Sequence, residues 1–134
     1  MDTHEKLVLL SEASQYDLAC ACGTSALDRR KRGKEGAWLY PVSLPGGGYS
    51  VMLKTLLSNV CTNDCKYCPY RNTVDAPRAT LSPENIARVF MEYYRRKKVF
   101  GLFLSSGVIR TPDFTMEQLN RTARLLRRTH HFRG

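Results

Sequence analysis

The sequence predicts an α/β fold in which parallel strands are joined by crossover helices, behind an N-terminal helix and a hairpin. Three observations lead there. Two short apolar runs, Val51 to Leu57 and Phe100 to Leu104, have the length and composition of buried strands. Each is followed by a stretch whose apolar residues recur at helical spacing. Pro45 with Gly46 to Gly48 separates the first run from an earlier strand-like stretch, as turn residues do. The order strand, helix, strand, helix fits an open sheet or part of a barrel. A closed barrel needs about eight strands over about 250 residues, and this chain has 134.

Taken in order, Leu7, Leu10, Ala13 and Ala19 approximate an apolar stripe, predicting a first helix over Thr3 to Leu18 with Thr3 as N-cap and a break near Gly23. The basic run Arg29 to Lys34, flanked by Gly33 and Gly36, reads as an exposed loop. Ala37 to Val42 and Tyr49 to Leu57 read as the two strands of a hairpin, the second covered on both faces. Ser82, Pro83 and Glu84 form a helix start: a hydroxyl cap, a proline where no amide is missed, and a carboxylate at the positive end. That helix is predicted to run to about Lys97 and to bury Ile86, Val89, Phe90 and Tyr93. Thr115 to Gln118 fits a capping box opening a last helix that buries Leu119, Ala123 and Leu126. Residues 1–48 thus carry the helix, basic loop and first hairpin strand, and residues 49–134 the first two strand–helix units of an incomplete barrel.

Composition narrows the class. With 43% hydrophobic and 25% charged residues and a mean hydropathy of −0.37, the chain is neither collagenous nor wholly disordered. No apolar run of about 18 residues exists to span a bilayer, and no secretory signal opens the chain. Five cysteines, an odd number, argue against a complete disulfide framework, so a reducing cytoplasm is the expected compartment. The net charge, 21 Lys and Arg minus 12 Asp and Glu, is +9. Such a charge attracts polyanions without naming one.

Cys61, Cys65 and Cys68 stand directly after the first predicted core strand, where α/β folds place their sites. Three thiolates within eight residues can wrap one metal centre, zinc or iron–sulfur. A four-iron cluster held by three cysteines leaves one iron open to a reacting molecule. Zinc would need a fourth ligand from Cys20, Cys22 or a histidine, and structural zinc sites usually bring their ligands as two pairs. Thr62, Asn63, Asp64 and Lys66 make the loop too polar for cysteines packed as small hydrophobes.

The segment Cys61-Thr-Asn-Asp-Cys65-Lys-Tyr-Cys68 resembles the CxxxCxxC signature of the radical S-adenosylmethionine (SAM) superfamily, aromatic residue included. The resemblance implies a partial (β/α) barrel in which Cys61, Cys65 and Cys68 bind a 4Fe-4S cluster. It implies SAM chelated to the open iron, Tyr67 near its adenine, and reductive cleavage to a 5'-deoxyadenosyl radical with an external electron donor. Leu104-Ser-Ser-Gly107 stands where the superfamily commonly has a Gly-Gly-Glu type motif, so Ser105, Ser106 and Gly107 are the expected contacts of the SAM amino group, without that glutamate. More narrowly, Tyr16-Asp17, Leu53 to Arg71 and Gly101 to Arg110 are similar to the N-terminal part of a subfamily described as DNA modification or repair radical SAM proteins. That likeness implies a uracil-DNA-glycosylase-like partner protein. Its members are much longer, which marks this chain as an expected fragment, inactive alone.

The remaining motifs are weaker. Cys20 and Cys22 form an unassigned CxC pair, and His130 and His131 fall in the last turn of the final helix, where cations are favoured anyway. Arg71 and Arg110 are placed near the rim of the site, able to meet a carboxylate or an anionic substrate. The basic runs make nucleic acid the partner to test. The alternative function is a zinc-bound nucleic-acid-binding module without catalysis, using Cys61, Cys65, Cys68 and Cys22; no membrane partner is expected.

Overall fold

The computed structural model describes residues 1–16, 31–32 and 38–134. Its elements are α1 (Thr3–Ala13), a 3-10 turn (Ser14–Tyr16), β1 (Lys31–Arg32), β2 (Trp38–Ser43), β3 (Tyr49–Leu56), α2 (Pro83–Arg95), β4 (Gly101–Ser105), α3 (Pro112–Arg124) and a π turn (Leu125–Thr129). The fold is mixed α/β, as expected. Cys20, Cys22, Gly23 and the loop glycines 33 and 36 lie outside the described residues.

One four-stranded sheet runs in the order β1-β2-β3-β4. β2 and β3 form the antiparallel hairpin, paired from Leu39 opposite Leu53 to Ser43 opposite Tyr49. Its turn uses Gly47 and Gly48 at φ of 91° and 75°, a left-handed backbone that a side chain would strain. β3 and β4 pair in parallel, Met52 with Gly101 through Leu56 with Ser105, and α2 supplies the crossover between them. β1 corrects the expectation of a loop: Lys31 and Arg32 pair with Leu39 and Trp38, extending the sheet by two residues.

Helix boundaries follow local chemistry. Asp2, not Thr3, caps α1, because its carboxylate accepts from the Glu5 amide while the Glu5 side chain accepts from the Asp2 amide, a complete capping box. α1 ends at Ala13 and tightens into the 3-10 turn; Leu18, the expected end, lies outside the described residues. Ser82 caps α2 as predicted, but the helix stops at Arg95 and Lys97 turns left-handed at φ 54°. α3 opens four residues earlier than expected. Thr111 caps it ahead of Pro112, and the Thr115 hydroxyl bonds the Ile109 and Thr111 carbonyls instead.

A single core joins Leu7 and Leu10 of α1, Leu53 of β3, Ile86, Val89 and Phe90 of α2, and Leu126 and Phe132. Phe132 meets Phe90 and Tyr94 edge-on at 4.8 and 5.1 Å between ring centroids, docking the segment after α3 onto α2. Leu53, Lys54 and Thr55 are all buried, so the centre of β3 is covered on both faces, as its composition predicts. The Lys54 ammonium lies 5.1 Å from the Tyr40 ring centroid and 5.3 Å from that of Phe103. Ala123 is exposed and Leu119 half-buried, contrary to the predicted stripe. With Leu102 and Leu104 they line an open cavity of about 270 Å³ beside β4, and the buried face of α3 consists of Thr115 and Thr122.

Candidate metal and cofactor site

The chain leaving β3 and the chain leaving β4 stay in contact beyond the sheet. Leu57 donates to the Ser105 carbonyl at 2.7 Å, Gly107 to the Ser58 carbonyl at 2.7 Å, and Thr62 to the Val108 carbonyl at 2.9 Å. A Cβ at Gly107 would stand 2.6 Å from the Val60 carbonyl oxygen and 3.2 Å from the Cys61 Cβ. Glycine is required there by space alone, since real contacts of that kind are essentially never so short.

Between Asn59 and Ala79 the chain makes the cysteine loop, closed at its base by the antiparallel bridge of Ser58 with Thr80. Asn59 is buried and clamps the base: its amide nitrogen donates to the Pro77 carbonyl at 2.9 Å and its oxygen accepts from the Ala79 amide at 2.8 Å. Arg78 holds the interior. Its guanidinium donates to the carbonyls of Asn59, Tyr70, Arg71 and Val74 at 2.6 to 2.8 Å. Each is a charge-assisted bond, and the rigid fork matches several acceptors at once.

The inner turn is held by exposed contacts. Asp64 accepts from Lys66 at 2.6 Å and from the Thr73 hydroxyl at 3.1 Å, with Arg71 at 3.9 Å. The Lys66 hydrogen bond first, then that of Thr73, holds the Asp64 carboxyl below its ordinary value. The sulfurs also receive backbone donors. Cys61 Sγ accepts from the amides of Asn63 and Val108, and Cys68 Sγ from that of Tyr70, each at 3.4 Å. Amides directed at sulfur stabilise the negative charge a ligand thiolate carries and tune the potential of a bound cluster.

Cys61, Cys68, Tyr67, Ser105, Ser106 and Gly107 line one cavity of about 320 Å³ at the C-terminal ends of β3 and β4. Residues singled out from two separate stretches of sequence therefore share a wall. Tyr67 stands on the rim with 91% of its surface exposed. Ser106 donates its hydroxyl proton to the Gly107 carbonyl at 2.7 Å, leaving its oxygen lone pairs to accept from a ligand ammonium. Cys65 lies on the same loop but outside the cavity lining. Among the described residues no three His, Cys, Asp or Glu side chains are gathered around one ion position. The donor set, three free half-buried thiols with two sulfurs facing backbone amides, has the chemistry to ligate a soft metal centre, zinc or iron–sulfur.

Two expected residues part company. Arg71 stays with the loop, donating to the Cys68 carbonyl at 3.2 Å. Arg110 turns away at φ 58°, stacks its guanidinium 4.9 Å from the Phe114 centroid, and lines a different cavity with Leu57 and Arg121. His130 and His131 follow the π turn and line neither the cysteine cavity nor that of Arg110.

Sequence reasoning missed the Asn59 and Arg78 clamp and the second aromatic wall. Tyr16 meets Tyr70 edge-on at 5.8 Å, and both line the cysteine cavity. Burial, and next the neighbouring Tyr16, pushes the Tyr70 phenol above its ordinary value. Nothing local marks Arg78, an isolated arginine between Pro77 and Ala79. Tyr70, two residues past Cys68, could have been found from its position. No helix among the described residues is long and apolar enough to cross a membrane. No family model matches the sequence, and neither a curated protein nor a solved structure matches the chain.

Proposed function

We propose that this chain is the cluster-binding part of a radical SAM enzyme whose reaction belongs to DNA modification or repair. Cys61, Cys65 and Cys68 are the ligands of a 4Fe-4S cluster, and Tyr67, Ser105, Ser106 and Gly107 contact SAM. The observation that carries the reading is the shared cavity: two of the three cysteines and the Ser-Ser-Gly segment line one space at the C-terminal ends of parallel strands. That is where α/β folds bind ligands.

When bound, the cluster and SAM supply reductive cleavage to a 5'-deoxyadenosyl radical, chemistry that belongs to the cofactors. The chain's residues bind and orient. Backbone amides of Asn63, Val108 and Tyr70 stabilise charge on the sulfurs, Gly107 lets a ligand approach backbone, and the Ser105 and Ser106 oxygens can accept from an ammonium. Tyr16, Tyr67 and Tyr70 give the cavity aromatic surface on which a planar ring could pack. The DNA assignment rests on the resemblance and on the net charge of +9.

Anaerobic reconstitution with iron and sulfide tests this reading. Thiolate-to-iron charge transfer should give broad absorbance near roughly 400 nm, lost in Cys65→Ala, with iron and sulfide in near-equal amounts. Zinc bound in place of iron, with no such absorbance, would overturn it.

A further inference from the structure

We infer that the end of the molecule opposite the cysteine cavity binds the backbone of single-stranded nucleic acid. Two basic segments far apart in sequence meet there. Arg95 to Lys98 close α2 and Arg124 to Arg133 close the chain after α3, four Lys or Arg in each, counting Arg124, Arg127, Arg128 and Arg133 in the second. Phe132, held edge-on between Phe90 and Tyr94, brings the second segment onto the first. No Asp or Glu occurs between Glu92 and Asp113 or after Glu117, and Glu92 is paired with Arg88 at 3.0 Å.

This surface lies at the start of the parallel strands, where the Phe100 amide donates to the Val51 carbonyl at 2.8 Å. The cysteine loop leaves the other end of β3. Five strand residues at ~3.3 Å each separate Val51 from Leu56, so the two surfaces are at least ~17 Å apart.

Helix C-termini attract cations without any ligand, but each terminus carries only about half a negative charge. The exposed Arg95 and Lys97 at the end of α2, with Arg124, Arg127, Arg128 and Arg133 of the second segment, exceed that several-fold, and they carry the proposal. Exposed rings flank the first segment: Phe100 is 55% exposed and Tyr94 38%. Cations beside exposed aromatics fit a single strand, whose unpaired bases stack while its phosphates are neutralised, better than a closed duplex. The surface is then an anchor that holds a strand while a separate segment reaches the cavity. The inference takes its partner from the DNA reading above but needs none of its cluster chemistry.

Anisotropy of a fluorescent 20-nucleotide oligothymidylate with the full chain tests it. Four to five phosphate contacts at about 0.7 ions each give a log–log salt slope near −3, so affinity should fall at least about thirtyfold between 50 and 200 mM salt. Arg95→Glu with Lys97→Glu, and separately Arg127→Glu with Arg128→Glu, should each weaken binding about tenfold or more and flatten the slope by about 1.4. Phe100→Ala should weaken it about fivefold or more with the slope unchanged. Lys6→Glu with Arg121→Glu removes the same charge elsewhere, away from the cysteine loop, and should cost less than about twofold. Cys61, Cys65 and Cys68 all replaced by alanine should leave binding intact, so failure of the cluster reading is read separately, from iron content. Circular dichroism melts verify that each variant folds. No binding at 50 mM salt, equal loss in the Lys6 and Arg121 control, or loss in the triple cysteine variant would overturn the inference. Tighter binding to phosphatidylserine vesicles than to the oligonucleotide would overturn it in favour of a membrane.

Discussion

The Val108 amide donates to the Cys61 sulfur at 3.4 Å across 47 positions of sequence. Together with the Gly107–Ser58 and Thr62–Val108 backbone bonds, it makes the segment after β4 a wall of the cysteine loop. A disturbance on either strand end is therefore read at the other.

Gly107→Ala tests that coupling. Its added Cβ meets backbone, the Val60 carbonyl oxygen at 2.6 Å, and forcing the two strand ends apart should cost about 2 kcal/mol. The urea midpoint should fall accordingly. Gly46→Ala, where a Cβ meets nothing within 4 Å, should change it by less than about 0.5 kcal/mol.

Arg78→Lys keeps the charge and loses the fork. Four carbonyls share that guanidinium, and a lysine ammonium has only three donors, so a loss of about 2 kcal/mol is expected. Asn59→Ala leaves the Ala79 amide without its side-chain acceptor and should cost a similar amount, about 2 kcal/mol. Hydrogen exchange should speed up between Asn59 and Ala79 while the α2 amides keep their protection. Uniform acceleration would contradict a local clamp.

The inner turn should loosen in acid. Asp64 is held below its ordinary 3.8 by Lys66, then by Thr73. A depressed folded value means that its contribution is present above about pH 4 and lost as pH falls through the lowered value. Amide NMR shifts of Lys66 and Thr73 should follow that titration. In Asp64→Asn they should no longer do so, while the α2 N-terminus continues to report Glu84, whose carboxyl its own backbone amide, and next Arg121, holds low.

Phe132→Ala removes a ring that is 8% exposed and packs between Phe90 and Tyr94. A loss of about 3 kcal/mol is expected. Calorimetric melting would show it, and a change under about 1 kcal/mol would mean that the segment after α3 is not docked as described.

Local signals were the legible ones. Ser82-Pro83-Glu84, the Pro45–Gly48 turn and the Ile86, Val89, Phe90, Tyr93 stripe all appear where the sequence puts them. The same chemistry explains one error. Thr111-Pro112-Asp113 repeats the Ser82-Pro83-Glu84 start, whereas the capping-box pattern of Thr115 and Gln118 points one turn further on. Ala123 misleads for another reason: helical periodicity names a face but not what covers it, and here that face borders an open cavity beside β4. That Cys61 and Cys68 would lie close to the Ser-Ser-Gly segment follows from their places after β3 and β4, the segment itself being marked by the resemblance. Arg78 was not legible, because its role depends on carbonyls that only the folded loop turns toward it.

The Asn59 and Arg78 clamp bears on how much order a ligand must create. The 21-residue stretch from Asn59 to Ala79 has its ends joined and its interior carbonyls gathered by protein groups alone, so most of the entropy of closing so long a loop is already lost on folding. Adjustment around a ligand is then confined to the exposed turn carrying Asp64, Cys65 and Lys66. Tight capture of a cluster would need the freezing of only a few residues, and losing the clamp would weaken capture without touching a single sulfur.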